Sequence, residues 1–152
     1  MLSAEKSDDL IISEAIRLVK DGVDVIFPVK GRSMRPFIEG GVEKVLLTRP
    51  LDVKPFDVVL ALTDQDRYVV HRVLSMDGDC VTLMGDGNIA GREYCKREDV
   101  CAKVTHVVGK NGRKRSLDAP FRRFAQKLWF KLLPIRKYLL KFYKLYLLVK
   151  FF

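Results

Sequence analysis

The spacing of apolar and polar positions changes twice along this 152-residue chain. Over residues 5–20, Leu10, Ile11, Ala15, Ile16 and Val19 fall on one stripe at helical spacing, which predicts an amphipathic helix. Ser7 can cap its start and Asp21-Gly22 stops it. From Asp24 the period becomes that of strands. Asp24–Val29, Lys44–Thr48, Asp57–Thr63, Tyr68–Met76, Cys80–Met84 and Val100–Val108 are β-rich runs. Turn chemistry separates them at Gly40-Gly41, Asp64-Gln65-Asp66, Asp77-Gly78-Asp79 and Asp86-Gly87-Asn88. This spacing predicts a mainly β, antiparallel domain over 23–110, preceded by a helix within 1–22, rather than βαβ units.

Lys110-Asn111-Gly112-Arg113-Lys114-Arg115 reads as a basic turn that closes the domain, and residues 111–152 are different in kind. Lys127 and Lys131, then Lys137, Lys141 and Lys144, recur at three- and four-residue spacing among Leu, Phe, Trp and Tyr. Pro134 divides this amphipathic helical tail in two. The net charge of +9 is concentrated here, with no acidic residue from Ala119 to Phe152. An anionic partner is implied, a membrane surface before nucleic acid. The charges interrupt any simple spanning helix, at ~2.5–3.5 kcal/mol each at the bilayer centre. An interfacial helix over 119–152 fits better, and a helix packed back on its own domain is the competing reading.

The length suits one domain with a real core, and the composition is that of a folded protein. Cys80, Cys95 and Cys101 form no C-x-x-C pair and read as reduced thiols, with Cys80 and Cys101 as small strand residues. The N-terminal stretch is charged throughout and has no signal-peptide apolar region. No metal-ligand spacing and no phosphate-binding loop is found, so no metal and no cofactor is expected.

Chemistry concentrates in Val29–Ile38, where Ser33 stands between Gly31 and Pro36. Gly31 lets the backbone bend, and Pro36 fixes its own φ and disfavours helix at Arg35. The segment is stiff and presents a hydroxyl. Tyr68–Leu74 supplies His71, on an alternating strand where it shares a face with Val69 and Val73 while Arg72 points the other way. Met84-Gly85-Asp86-Gly87-Asn88 supplies Asp86. Serine, histidine and aspartate are the parts of an activated hydroxyl.

GRSMRP, then VVHRV, then MGDGN resembles the signal peptidase I and LexA-like superfamily of serine peptidases, over about residues 24–108. In that family the nucleophile stands in a G-x-S-M-x-P box and the base precedes an Arg on a later strand. The base position here is His71, as in microsomal- and archaeal-type signal peptidases, where most bacterial ones place Lys. The resemblance implies the irregular β-fold of that family, Ser33 as nucleophile, His71 as general base, and small residues at the cleaved position of a peptide. Asp86 is the expected orienter of the imidazole. The microsomal pattern carries a further Asp six residues on, where this chain has Arg92, so Asp99 or a bare Ser/His dyad remains open.

Where signal peptidases often place Ser or Thr, this chain has Gly31. The oxyanion donors implied are therefore the backbone N–H groups of Arg32 and Ser33. Met34 is expected beneath the nucleophile, with Met34 and Pro36 contributing to substrate binding, and His106 is read as structural. The substrate would be an extended peptide added to a strand edge near Ser33. The N-terminal stretch does not read as the membrane anchor usual in signal peptidases, and residues 1–22 do not read as a helix-turn-helix. A LexA-like self-cleaving regulator is the first alternative, disfavoured because Ala90-Gly91 lies downstream of Ser33. A non-enzymatic β-module binding membrane or nucleic acid is the second. The expected setting is bacterial or archaeal, cytoplasmic or peripheral to a membrane.

Overall fold

Eight antiparallel strands curl into a half-barrel sheet in the computed structural model, which describes residues 2–151 and the side chains from Asp8 to Lys150. A helix, α1 (Leu2–Lys20), precedes the sheet, and α2 (Pro120–Lys131) and α3 (Arg136–Phe151) follow it. The strands are β1 (Val25–Pro28), β2 (Lys44–Thr48), β3 (Val58–Leu62), β4 (Tyr68–Asp77), β5 (Cys80–Met84), β6 (Glu93–Lys96), β7 (Val100–Val108) and β8 (Lys114–Ser116). Their order is β1-β2-β7-β3-β4-β5-β6, with β8 added to β7.

Alternation along β3 shows how the sheet serves two cores. Val58 and Leu60 belong to a cluster with Ala15 and Val19 of α1, Met34, Ile38, Leu47 and Val104. Val59 and Ala61 point the other way, into a cluster with Val69, Val73, Val81, Leu83 and Cys95. A strand buried on both faces must be apolar throughout, as Val58-Val59-Leu60-Ala61 is. The β4–β5 hairpin turns through Gly78-Asp79, with Asp77 opposite Cys80, as the Asp-Gly signal predicts.

Three expectations change. The helix over 5–20 starts earlier, at Leu2, so Ser7 lies within it rather than at its cap. Ala4, Glu5 and Lys6 are good helix formers, and nothing in them ends a helix. The basic turn at 110–115 is a hairpin, since Lys114–Ser116 pairs with β7. Glu93–Lys96, not read as a strand, pairs with β5 at the sheet's edge.

The tail divides around Pro134, where residues 133–135 form a single 3-10 turn between α2 and α3. The inner face of α2 packs on the body, with Phe130 edge-on to Phe56 and Trp129 edge-on to Phe37. Arg123 pairs with the buried Asp57 carboxylate at 2.5 Å. No helix among the described residues is long and apolar enough to cross a membrane.

Candidate active site

Ser33 sits in a tight turn over residues 31–37, closed by Arg35 N–H to Arg32 carbonyl and by Phe37 and Ile38 N–H to Met34 carbonyl. Close backbone packing fixes this turn from two sides. A Cβ on Gly40 would lie 2.1 Å from the Gly31 carbonyl oxygen, and one on Gly85 would lie 2.3 Å from the Ser33 carbonyl oxygen. Gly87 donates its N–H to that Ser33 oxygen at 2.8 Å, and a Cβ there would strike the Arg32 carbonyl. The MGDGN segment is thus the seat of the Ser33 turn, and its glycines are required by contact. The Ser33 side chain makes no hydrogen bond among the described residues, nor do the N–H groups of Arg32 and Ser33.

Ser33 and His71 line one cleft of about 500 Å³ with Asn88, Glu93, Tyr68 and the α1 residue Ile12. His71 is 5% exposed and lies opposite Val59 in the register. Glu93 Oε1 stands 3.2 Å from His71 Nδ1, within ion-pair reach but off the direction a hydrogen bond requires. Burial lowers the His71 pKa from its ordinary value. The Glu93 and then the Asp86 carboxylates oppose that shift, and Arg67 adds to it. Burial dominates, so the imidazole is neutral near pH 7 and able to accept a proton.

Asp86 goes elsewhere. Its carboxylate is held by Arg72 through two bonds of 2.7 Å, and both side chains are buried. The cause is strand alternation. Met84 pairs with Arg72 across the β4–β5 ladder, so the chain leaving β5 arrives on the Arg72 face, whereas His71 faces the other way. Glu93 comes from the opposite end of the same hairpin unit: β6 pairs it with Leu83, which in turn pairs with Val73 on the His71 face. Sequence reasoning missed Glu93. The available signal was Cys95, two residues on, since an inward Cys95 carries Glu93 inward with it. Asp99 stands on the 3-10 turn before β7, where its carbonyl accepts from the Cys101 thiol, and it does not line the cleft.

Neither residue assigned to substrate binding lines the cleft. Met34 is 1% exposed and lies in the core, its Sδ accepting the Asp86 N–H at 3.5 Å. It packs beneath the Ser33 turn. Pro36 borders a separate groove beside Glu39 and Tyr143 of α3. His106 contacts Thr105 Oγ1 through Nδ1 at 3.0 Å and does not line Ser33's cleft.

The seat of the turn is held from outside by the tail. Gln126 Oε1 accepts from Arg72 at 2.9 Å, and the Trp129 indole donates to the Asp86 carbonyl at 2.8 Å. Arg136 donates to the Asn88 carbonyl at 3.0 Å and stacks over Trp129 at 5.2 Å. Among the described residues no group of three or more His, Cys, Asp or Glu side chains is placed to hold a metal ion. Comparison with family models gives no match, and comparison with curated proteins gives none either.

Proposed function

We propose that the protein is a serine endopeptidase acting on an extended peptide, with Ser33 as nucleophile and His71 as general base. The observation that carries this reading is the shared cleft: a half-buried Ser33 and a buried, neutral imidazole with the Glu93 carboxylate 3.2 Å from its Nδ1. His71 takes the Ser33 proton as Oγ attacks the scissile carbonyl carbon, then returns it to the leaving amine. Water, activated by the same imidazole, hydrolyses the acyl-enzyme. Glu93 stabilises the imidazolium that forms in each step. The Arg32 and Ser33 N–H groups are the donors available for the oxyanion, a contribution of roughly 2.7–4 kcal/mol each. The free edge of β1, which leads directly into the Ser33 turn, is the edge on which a substrate strand would add.

A fluorophosphonate probe tests the assignment. It labels the wild type, and Ser33→Ala abolishes labelling without changing the circular dichroism spectrum. His71→Ala reduces labelling nearly as far, because the two residues act as a unit. Undiminished labelling of Ser33→Ala would end the nucleophile assignment.

A further inference from the structure

The tail buries polar residues and exposes apolar ones. Among the described residues the fully buried positions of α2 and α3 are Gln126 and Arg136. Phe121, Phe124, Phe142 and Val149 are 64–80% exposed. On α3 the pattern is ordered. Leu139, Leu140, Tyr143 and Leu147 are half-buried, on the side where Tyr143 reaches Glu39 at 3.4 Å. Tyr138, Phe142, Leu145 and Val149, at spacings of four, three and four, form a second apolar stripe on the opposite side, and all are exposed. Lys137, Lys141 and Lys144 run along one flank of that stripe, all exposed.

We infer that the outer face of α3 binds an anionic lipid bilayer, with α3 lying in the plane of the interface. The inference is independent of the chemistry proposed for the cleft. Residues 119–152 hold nine Lys and Arg and no acid. A second copy docked face to face would therefore bring lysine rows together with no carboxylate to answer them. Nucleic acid answers the charge but has no use for an exposed Phe-Leu-Val stripe. An anionic bilayer answers both, because headgroups take the lysines while the stripe enters the acyl boundary. Lysine stems suit this arrangement, lying along the apolar surface with the ammonium in water. At sixteen residues α3 is roughly 24 Å long. It is therefore too short, and too charged, to span the hydrocarbon instead.

The test is sedimentation of full-length protein with phosphatidylcholine vesicles, with and without phosphatidylglycerol. The expected result is binding to the anionic vesicles at least about tenfold tighter than to neutral ones. Phe142→Gln/Leu145→Gln and Lys137→Gln/Lys141→Gln/Lys144→Gln each weaken that binding by about tenfold or more, with helicity unchanged. Failure of the wild type to bind anionic vesicles overturns the inference. So does full binding by both variants, which would put the contact on another surface. A wild-type dimer that the Phe142/Leu145 variant splits, with no vesicle binding, would assign the stripe to a second copy and also overturn it.

Discussion

In residues 1–118, nineteen basic and nineteen acidic residues cancel, whereas 119–152 carry the whole formal charge of +9. The two regions also bury opposite things. The body buries Val, Leu, Ile and Ala on both faces of a curled sheet, and its cleft takes polar groups from strand positions fixed by register. The tail is held to the body by polar contacts of Gln126, Trp129 and Arg136, while the α3 stripe of Tyr138, Phe142, Leu145 and Val149 stays outside. Hydrophobic burial thus explains the body and only part of the tail, whose attachment depends on satisfying buried polar groups. The seam is the Arg72–Asp86 pair. It lies in the body, it is capped by the tail, and its turn seats Ser33.

The largest effect should come from breaking that seam. Asp86→Ala leaves the Arg72 guanidinium buried without its counter-charge, and should cost about 3–5 kcal/mol in urea unfolding. An Asp86→Ala variant of wild-type stability would mean that Gln126 and the Phe56 carbonyl suffice to hold Arg72. Glu93→Gln sharpens the contrast from the cleft side. On the proposed mechanism it slows cleavage by on the order of 10²–10⁴, because the imidazolium loses its carboxylate, and it leaves stability nearly intact. Removing a group that raises the His71 pKa must also move the acid limb of the rate profile to lower pH. A profile that stays in place would assign Glu93 a purely structural role.

On the tail side, Trp129→Phe removes the indole bond to the Asp86 carbonyl while keeping an aromatic ring there, and should cost about 1 kcal/mol. Trp129→Ala, which also removes the edge contact to Phe37 and the platform for Arg136, should cost about 3 kcal/mol by thermal or urea unfolding. If both variants unfold like wild type, the tail is not coupled to the body through this residue.

What could be read from the sequence follows the same division. Lys44–Thr48, Cys80–Met84 and Val100–Val108 have the predicted limits because β-branched, apolar runs are bounded by turn residues. β6 and β8 were not legible, being short and charged, and they form only because a longer strand supplies the ladder. That Ser33 and His71 would line one cleft was legible from the resemblance and the alternation of β4. That Glu93 stands beside His71 while Asp86 pairs with Arg72 was not, because it depends on which residue of β5 faces Arg72, and cross-strand register is invisible in a single chain. The tail's amphipathic character was legible, but not that one of its helices turns Gln126 inward. Docking chemistry of that kind depends on Arg72 being buried within reach.

The smallest effect expected is on stability against pH, and it belongs to the body alone. His71 is buried, with Glu93 facing Nδ1 from β6, Asp86 nearby on the turn after β5, and Arg67 at the start of its own hairpin. Because burial outweighs the carboxylates, the folded-state pKa lies below the unfolded one. Acidification therefore adds protons to the unfolded chain first. The stabilisation associated with the neutral imidazole is complete above the unfolded value, near ~6.5, and is lost as pH falls below it. Other carboxylates also titrate on the way down, so the comparison is wild type against His71→Gln, unfolded in urea between about pH 8 and pH 5. The wild type should lose more stability on acidification than the variant, and Trp129→Phe should keep the wild-type slope, since the tail does not touch the imidazole. Parallel wild-type and His71→Gln curves would show that Glu93 and Asp86 offset burial completely, leaving the imidazole with no preference between the folded and unfolded chain.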